Sequence, residues 1–207
     1  MRITILILAF LLLIAVESNQ ASVSMNPETV EVAARARREA LMKEQEKEQD
    51  RVERQKQLPA ITSIFARHTT RERASRLAYL CYETTIDTPF RPIDLAELAL
   101  AETGGHSLSN NAVSSEGAMG VWQLMPARAK SHGFKPSDMQ KDEKCAAAAV
   151  KELKAKLEMA SGNLQKAKRL YCGTGPQARE YEQKTKRFRK AIMAKMGQTL
   201  PANLINS

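Results

Sequence analysis

Glu102 closes a short apolar run, Ile93 to Glu102 (IDLAELALAE), and is followed at once by Thr103 and a Gly104-Gly105 break. The run reads as a helix that the two glycines terminate. A carboxylate at the C-terminal end of a helix meets the partial negative charge of the last carbonyls. Apolar neighbours such as Leu98 deprive it of water as well, and both effects raise its pKa. A carboxyl group that keeps its proton near neutral pH can serve as a general acid toward a leaving oxygen, as glycosidic cleavage requires. Glutamates near helix ends are common, so local physics alone leaves Glu102 as one candidate.

The other chemically able residues have plainer readings. Glu116 could supply a second carboxylate, but its place in a Ser- and Gly-rich loop suits a solvated charge. Glu97 lies five residues before Glu102 and should point to another side of the helix. Trp122 could stack on a flat ligand, although its apolar surroundings favour a core role. His106 and His132 have no partner pattern for a metal or nucleophilic site, and Cys81, Cys145 and Cys172 lack zinc spacing. Neither a metal nor a cofactor is expected. The basic run Lys184 to Arg189 reads as a solvated helix face that could attract polyanions.

The segment around Glu102 narrows the choice. From Ala101 the chain runs AETGGHSLSNNAVSSEGAMGVWQLMPARAKSHGF. It resembles the signature of the soluble lytic transglycosylase family, within the lysozyme-like superfamily. Ala112, Val113, Ser114, Gly117, Ala118, Gly120, Gln123, Leu124, Met125, Pro126 and Ala129 match that signature position by position. Tyr171, Cys172, Gly173 and Thr174 are a weaker counterpart of a later Tyr-Asn-x-Gly motif, and the resemblance spans roughly residues 75 to 190. It implies an all-α, lysozyme-like domain in which a helix ends at the catalytic glutamate and a sugar strand crosses it in a cleft. It further implies that Glu102 protonates the oxygen between N-acetylmuramic acid and N-acetylglucosamine. The same group then takes a proton from the muramic 6-hydroxyl, which closes a 1,6-anhydro ring without a second carboxylate, a departure from the usual pair. Thr103, Ser114, Gln123 and Tyr171 would line the cleft, and Gly117, Ala118 and Gly120 would let the backbone approach the sugar.

The chain departs from the family pattern in four places. Thr103 stands where Ser is usual and keeps the hydroxyl. The loop from Glu102 to Ala112 is longer than the common form, with added Ser and Asn. Arg128 replaces a Thr, and Cys172 replaces the motif's Asn, removing its amide. Cys172 and Cys145 would, if joined, tie the last two helices beside the cleft.

The elements that must position these residues follow from patterning. With 43% hydrophobic and 5% aromatic residues, and few β-branched runs, the 207-residue chain suits one all-helical domain plus extra length. Residues 1–24 have the layout of a secretory signal peptide: Arg2, an apolar stretch from Ile3 to Val16, then small polar residues. As helix the stretch spans only about 21 Å, short of a bilayer core of roughly 30 Å, so cleavage is favoured over a retained anchor. Residues 25–59 form a charged spacer, a solvated helix or a linker. It opens on the Asn26-Pro27 pair suited to a helix start, and its apolar residues are too sparse after Leu41 and Met42 for a continuous buried stripe. Residues 60–197 form the domain, with helical spacing at Ile61, Ile64 and Phe65, at Leu77, Leu80 and Cys81, and at Ile93 to Glu102. His106 to Gly120 is loop, and further helices span Ala146–Met159, Leu164–Tyr171 and about Arg179–Met196. Residues 198–207 form a tail.

Export to the periplasm or cell envelope puts three cysteines in an oxidising compartment, where one disulfide and one spare thiol is the simplest arithmetic, with all three pairings open. The net charge of +9 favours polyanionic partners such as cell-wall polymers; no nucleic-acid motif is present. The expected partner is therefore the glycan strand of peptidoglycan, with residues 25–57 available to dock on a secretion or conjugation assembly. Two other readings fit the same residues: a hydrolytic muramidase, and a non-catalytic glycan-binding component of a secretion assembly.

Overall fold

The computed structural model describes residues 27–173 and 175–199. The leader at 1–24, Asn26 and the tail from residue 200 lie outside the described residues. The chain forms two units, 1–48 and 49–207. In the first, helix α1 (Pro27–Gln55) is exposed along residues 30–48, including Val30, Val32, Leu41 and Met42. Residues 30–48 bury no apolar stripe, so that stretch is a solvated helix, whereas Arg54 near the helix end is buried and donates to the carbonyls of Thr85, Thr88 and Phe90.

The second unit is all-α. Helices α2 (Leu58–Phe65) and α3 (Arg71–Glu83) are short and amphipathic. Pro59 fits the first turn of α2, where its missing N–H matters least. Helix α2 buries Ala60, Ile61, Ile64 and Phe65, while α3 buries Ala74, Leu77, Ala78 and Cys81 at helical spacing. Thr70 caps α3 by accepting the Arg73 N–H at 3.4 Å. Among the described residues there is no strand; two isolated bridges, Val113 with Met119 and Met119 with Leu124, fold the central loop.

Helix α4 (Pro92–Thr103) is the axis of the unit, packed against α2, α3, helix α6 (Asp142–Met159) and helix α8 (Pro176–Thr199). Each of its residues is buried except Glu102. A helix apolar on all sides has no stable place except the middle of a core. Each fully buried Leu, such as Leu95, Leu98 and Leu100, contributes about 1.5–3 kcal/mol. Pro92 starts the helix, and the Asp94 carboxylate accepts the Arg91 N–H at 2.7 Å. Between α4 and α6 lie the signature loop, the one-and-a-half-turn helix α5 (Pro126–Ser131) and a 3-10 turn at Pro136–Gln140. Helix α7 (Leu164–Cys172) follows α6, its first turn capped by Asn163.

Two buried carboxylates on α4 are met by two cations from the last helices. Lys168 on α7 contacts Asp94 at 2.7 Å and Glu97 at 2.5 Å; Arg189 on α8 contacts Glu97 at 2.8 Å and also pairs with Asp94. Glu97 thus points away from Glu102, as its spacing predicts. Burial nonetheless pushes its carboxyl pKa up, with Lys168 and Arg189 opposing.

Three expectations are corrected. Cys81, Cys145 and Cys172 are all free thiols, so neither one disulfide nor a Cys145–Cys172 tie is present. Cys81 and Cys145 are packed in the core, whereas Cys172 is exposed. The run Lys184 to Arg189 is not a uniformly solvated face. Lys184 donates to the Ala101 carbonyl, Thr185 is buried and Arg189 joins the charge cluster, while Lys186 and Arg187 stay exposed. Arg128 is exposed and pairs with the buried Glu152 at 3.6 Å, and Lys186 pairs at the surface with Glu182 at 2.8 Å.

Candidate active site

The position of Glu102 follows from the packing of α4. The helix is enclosed until its last turn, where one side opens into a cleft of about 280 Å³. Glu102, Thr103, His106, Ser109, Asn111, Ala112, Val113, Ser114 and Gln123 line it. Among the described residues, Glu102 is the one carboxylate in that lining. Its carboxyl is enclosed enough that burial raises its pKa from 4.5 to about 7; the Tyr181 hydroxyl and the Lys184 ammonium pull it the other way. Glu102 is therefore about half protonated at neutral pH, as general acid catalysis favours.

Tyr181 and Lys184 both come from α8. The Tyr181 hydroxyl is buried and faces Glu102 closely enough to act on its pKa, without completing a hydrogen bond of regular geometry. Lys184 donates to the carbonyl of Ala101, capping the end of α4 one residue before the acid. Sequence reasoning missed both residues. The available signal was the helical spacing of Ala178, Tyr181, Thr185 and Ile192, all buried, which the surrounding basic residues obscure.

The signature residues fold the loop that faces Glu102. Ser114 accepts the Ala118 N–H on its hydroxyl at 3.0 Å, and its own N–H donates to the Ala118 carbonyl at 2.9 Å. Gln123 takes a left-handed backbone (φ 49°) and donates from its carboxamide nitrogen to the carbonyls of Gly120, at 2.7 Å, and Ala112, at 3.2 Å. Such a conformation in a non-glycine residue costs of order 1–3 kcal/mol and concentrates at ligand sites. The Tyr171 hydroxyl donates to the Trp122 carbonyl at 2.8 Å, and the buried Trp122 indole donates to the Leu95 carbonyl at 3.0 Å. Trp122 is thus a core residue joining the loop to α4.

Several expected contacts fall elsewhere. Thr103 lies at the cleft but is almost wholly buried, and its hydroxyl donates to the carbonyls of Val121 (2.8 Å) and Ala99 (3.3 Å). It braces the loop against α4. Gly120 does not face the cleft: a Cβ there would lie 2.1 Å from the Met139 carbonyl oxygen and 2.8 Å from the Cys145 sulfur. Its φ of 78° adds a second reason for glycine. Gly117 and Ala118 form the neighbouring turn, and neither they nor Tyr171 belongs to the lining. Glu116 is exposed in the same turn.

With this geometry in view, residues 95–193 match the family model of the Transglycosylase SLT domain. This segment is a lytic transglycosylase domain of the lysozyme-like superfamily. No curated protein and no solved structure matches the chain. The SLT segment contains α4 from Leu95 onward, Glu102, the whole loop and most of α8. It leaves out α2 and α3, which close the core around it. His106, Ser109 and Asn111, from the lengthened loop, form one wall of the SLT cleft.

Proposed function

We propose that the chain cuts the glycan strands of peptidoglycan by lytic transglycosylation, with Glu102 as both acid and base. The observation that carries this is a single carboxyl, proton-bearing near neutral pH, at the end of the buried helix and on the cleft. In the first step the Glu102 proton moves to the bridging oxygen as the muramic C1–O bond breaks. In the second, the resulting carboxylate takes the proton of the muramic 6-hydroxyl, and that oxygen bonds to C1. The 1,6-anhydro product needs no water and the acid is regenerated.

A hydrolytic muramidase would have to activate water at the opposite face of the sugar, usually with a second carboxylate. Glu102 has no such companion among the lining residues, which favours the anhydro route. Mass analysis of muropeptides released from purified sacculi tests the reading. Anhydromuramic ends support it, reducing ends mean hydrolysis, and no release under any condition means a glycan-binding role.

The substrate places the work outside the cytoplasm, so the apolar start of the chain acts as an export signal. The solvated helix of residues 27–48 offers interleaved charge to an envelope secretion or conjugation assembly. Deletion of residues 25–48, which spares the buried Arg54 and Gln57, should then abolish co-purification with such an assembly; retained association would exclude this role for the segment.

A further inference from the structure

The SLT segment begins at Leu95, yet the loop that walls its cleft is held from α3. Arg73 donates to the carbonyl oxygen of Leu108 from Nε at 3.0 Å and from Nη2 at 2.7 Å. The same guanidinium donates to the Asp142 carboxylate from Nη1 at 2.9 Å and from Nη2 at 3.0 Å. Asp142 is buried at the start of α6, where the helix N-terminus also favours its charge. One side chain therefore joins α3, α6 and the loop that follows Glu102.

The loop needs such a hold. Ser107 and Leu108 are consecutive non-glycine residues in the left-handed region, with φ of 56° and 50°. A backbone with a Cβ stays there only when its surroundings over-determine it. The Leu108 side chain is fully buried, its N–H donates to the Thr103 carbonyl at 3.0 Å, and its carbonyl meets Arg73. His106, Ser109 and Asn111, on either side, face the cleft. Two N–H groups of a planar fork fix the direction of a carbonyl, which a single ammonium does not.

We propose that Arg73 is a positioning residue for glycan cleavage: its clamp on the Leu108 carbonyl holds the 104–111 wall at the distance from Glu102 that a docked strand requires. This rests on the function proposed above and extends it to a residue outside the matched family segment. The clamp can be removed without stranding a buried charge, because Arg76 also pairs with Asp142. Arg76 makes no bond to Leu108, so it separates loss of the ion pair from loss of the clamp.

The test compares full-length wild type, Arg73→Met, Arg73→Lys and Arg76→Met by amide hydrogen exchange and by cleavage of purified sacculi. In Arg73→Met, exchange within 104–111 should quicken by about tenfold or more while α4 and α6 keep their protection. Cleavage should fall by about tenfold or more, chiefly through a raised KM. Arg73→Lys should lie between, and Arg76→Met should match wild type in both. Unchanged exchange in Arg73→Met, or equal effects of Arg73→Met and Arg76→Met, would overturn the clamp. A loosened loop with undiminished cleavage would overturn its role in the reaction. If wild type itself left sacculi intact, the glycan reading would fall with the positioning role, while the exchange data would still judge the clamp.

Discussion

Glu102 holds its proton because the fold withholds water from it, and this has a cost in stability. An unfolded glutamate ionises near 4.5 and the folded one near 7. As pH rises through that window the unfolded state gives up its proton first, so stability falls from pH 4.5 to about 7 and then levels off. With partial exposure at the cleft, the loss is about 1–3 kcal/mol. Glu102→Gln should therefore abolish release of muropeptides and yet raise the melting temperature at pH 8 by several degrees, with little change at pH 4. Cleavage that survived the substitution would remove Glu102 from the mechanism. For an acid that must be protonated, kcat/KM should fall tenfold per unit above pH 7. Tyr181→Phe and Lys184→Met each remove an influence that lowers this pKa, so in either variant the decline should begin at higher pH. A pH–rate profile with an unmoved limb in both would show that neither group tunes the acid. At this scale the sequence was informative where chemistry is local. Glu102, Glu97 and Trp122 stand where helix spacing and apolar context put them. Tyr181 and Lys184 were hidden because they reach the acid from a helix eighty residues away.

Among the elements, α4 sets the terms for the rest. Its apolar body was legible from IDLAELALAE, and its ends from Pro92 and the Gly104-Gly105 pair. Less legible was how the last two helices attach, since the basic composition of α8 conceals the cations that turn inward. Lys168→Met leaves Asp94 and Glu97 to share Arg189, and should destabilise the protein by about 3–5 kcal/mol. A denaturant midpoint within error of wild type would show that the cluster contributes no net stability. Gly120→Ala should be at least as harmful, by about 3 kcal/mol or more, because the new methyl meets the Met139 backbone. Its expected signature is a shift of the same midpoint with the m-value kept. The resemblance assigned Gly120 to the sugar, while its neighbours in space, Met139 and Cys145, lie beyond the signature and only the fold brings them to it.

At the scale of the whole molecule, the family segment and the folding unit differ. Residues 95–193 lack α2 and α3, which bury Ile61, Ile64, Phe65 and Leu77 with α4. A fragment of residues 49–207 should unfold cooperatively, as followed by circular dichroism. A fragment cut to 95–193 should lack a cooperative transition, and a sharp one would show that α2 and α3 are dispensable. The free thiols carry a further consequence. Because Cys81, Cys145 and Cys172 form no disulfide among the described residues, their native packing is reachable without an oxidant or a disulfide isomerase. Buried Cys145, its pKa pushed up to about 12, and Cys81, pushed higher still, are shielded in the native state, whereas Cys172 is open. Iodoacetamide should thus add one label to the native protein and three to the denatured one. The ratio would serve as a clock for folding that works in reducing and oxidising compartments alike.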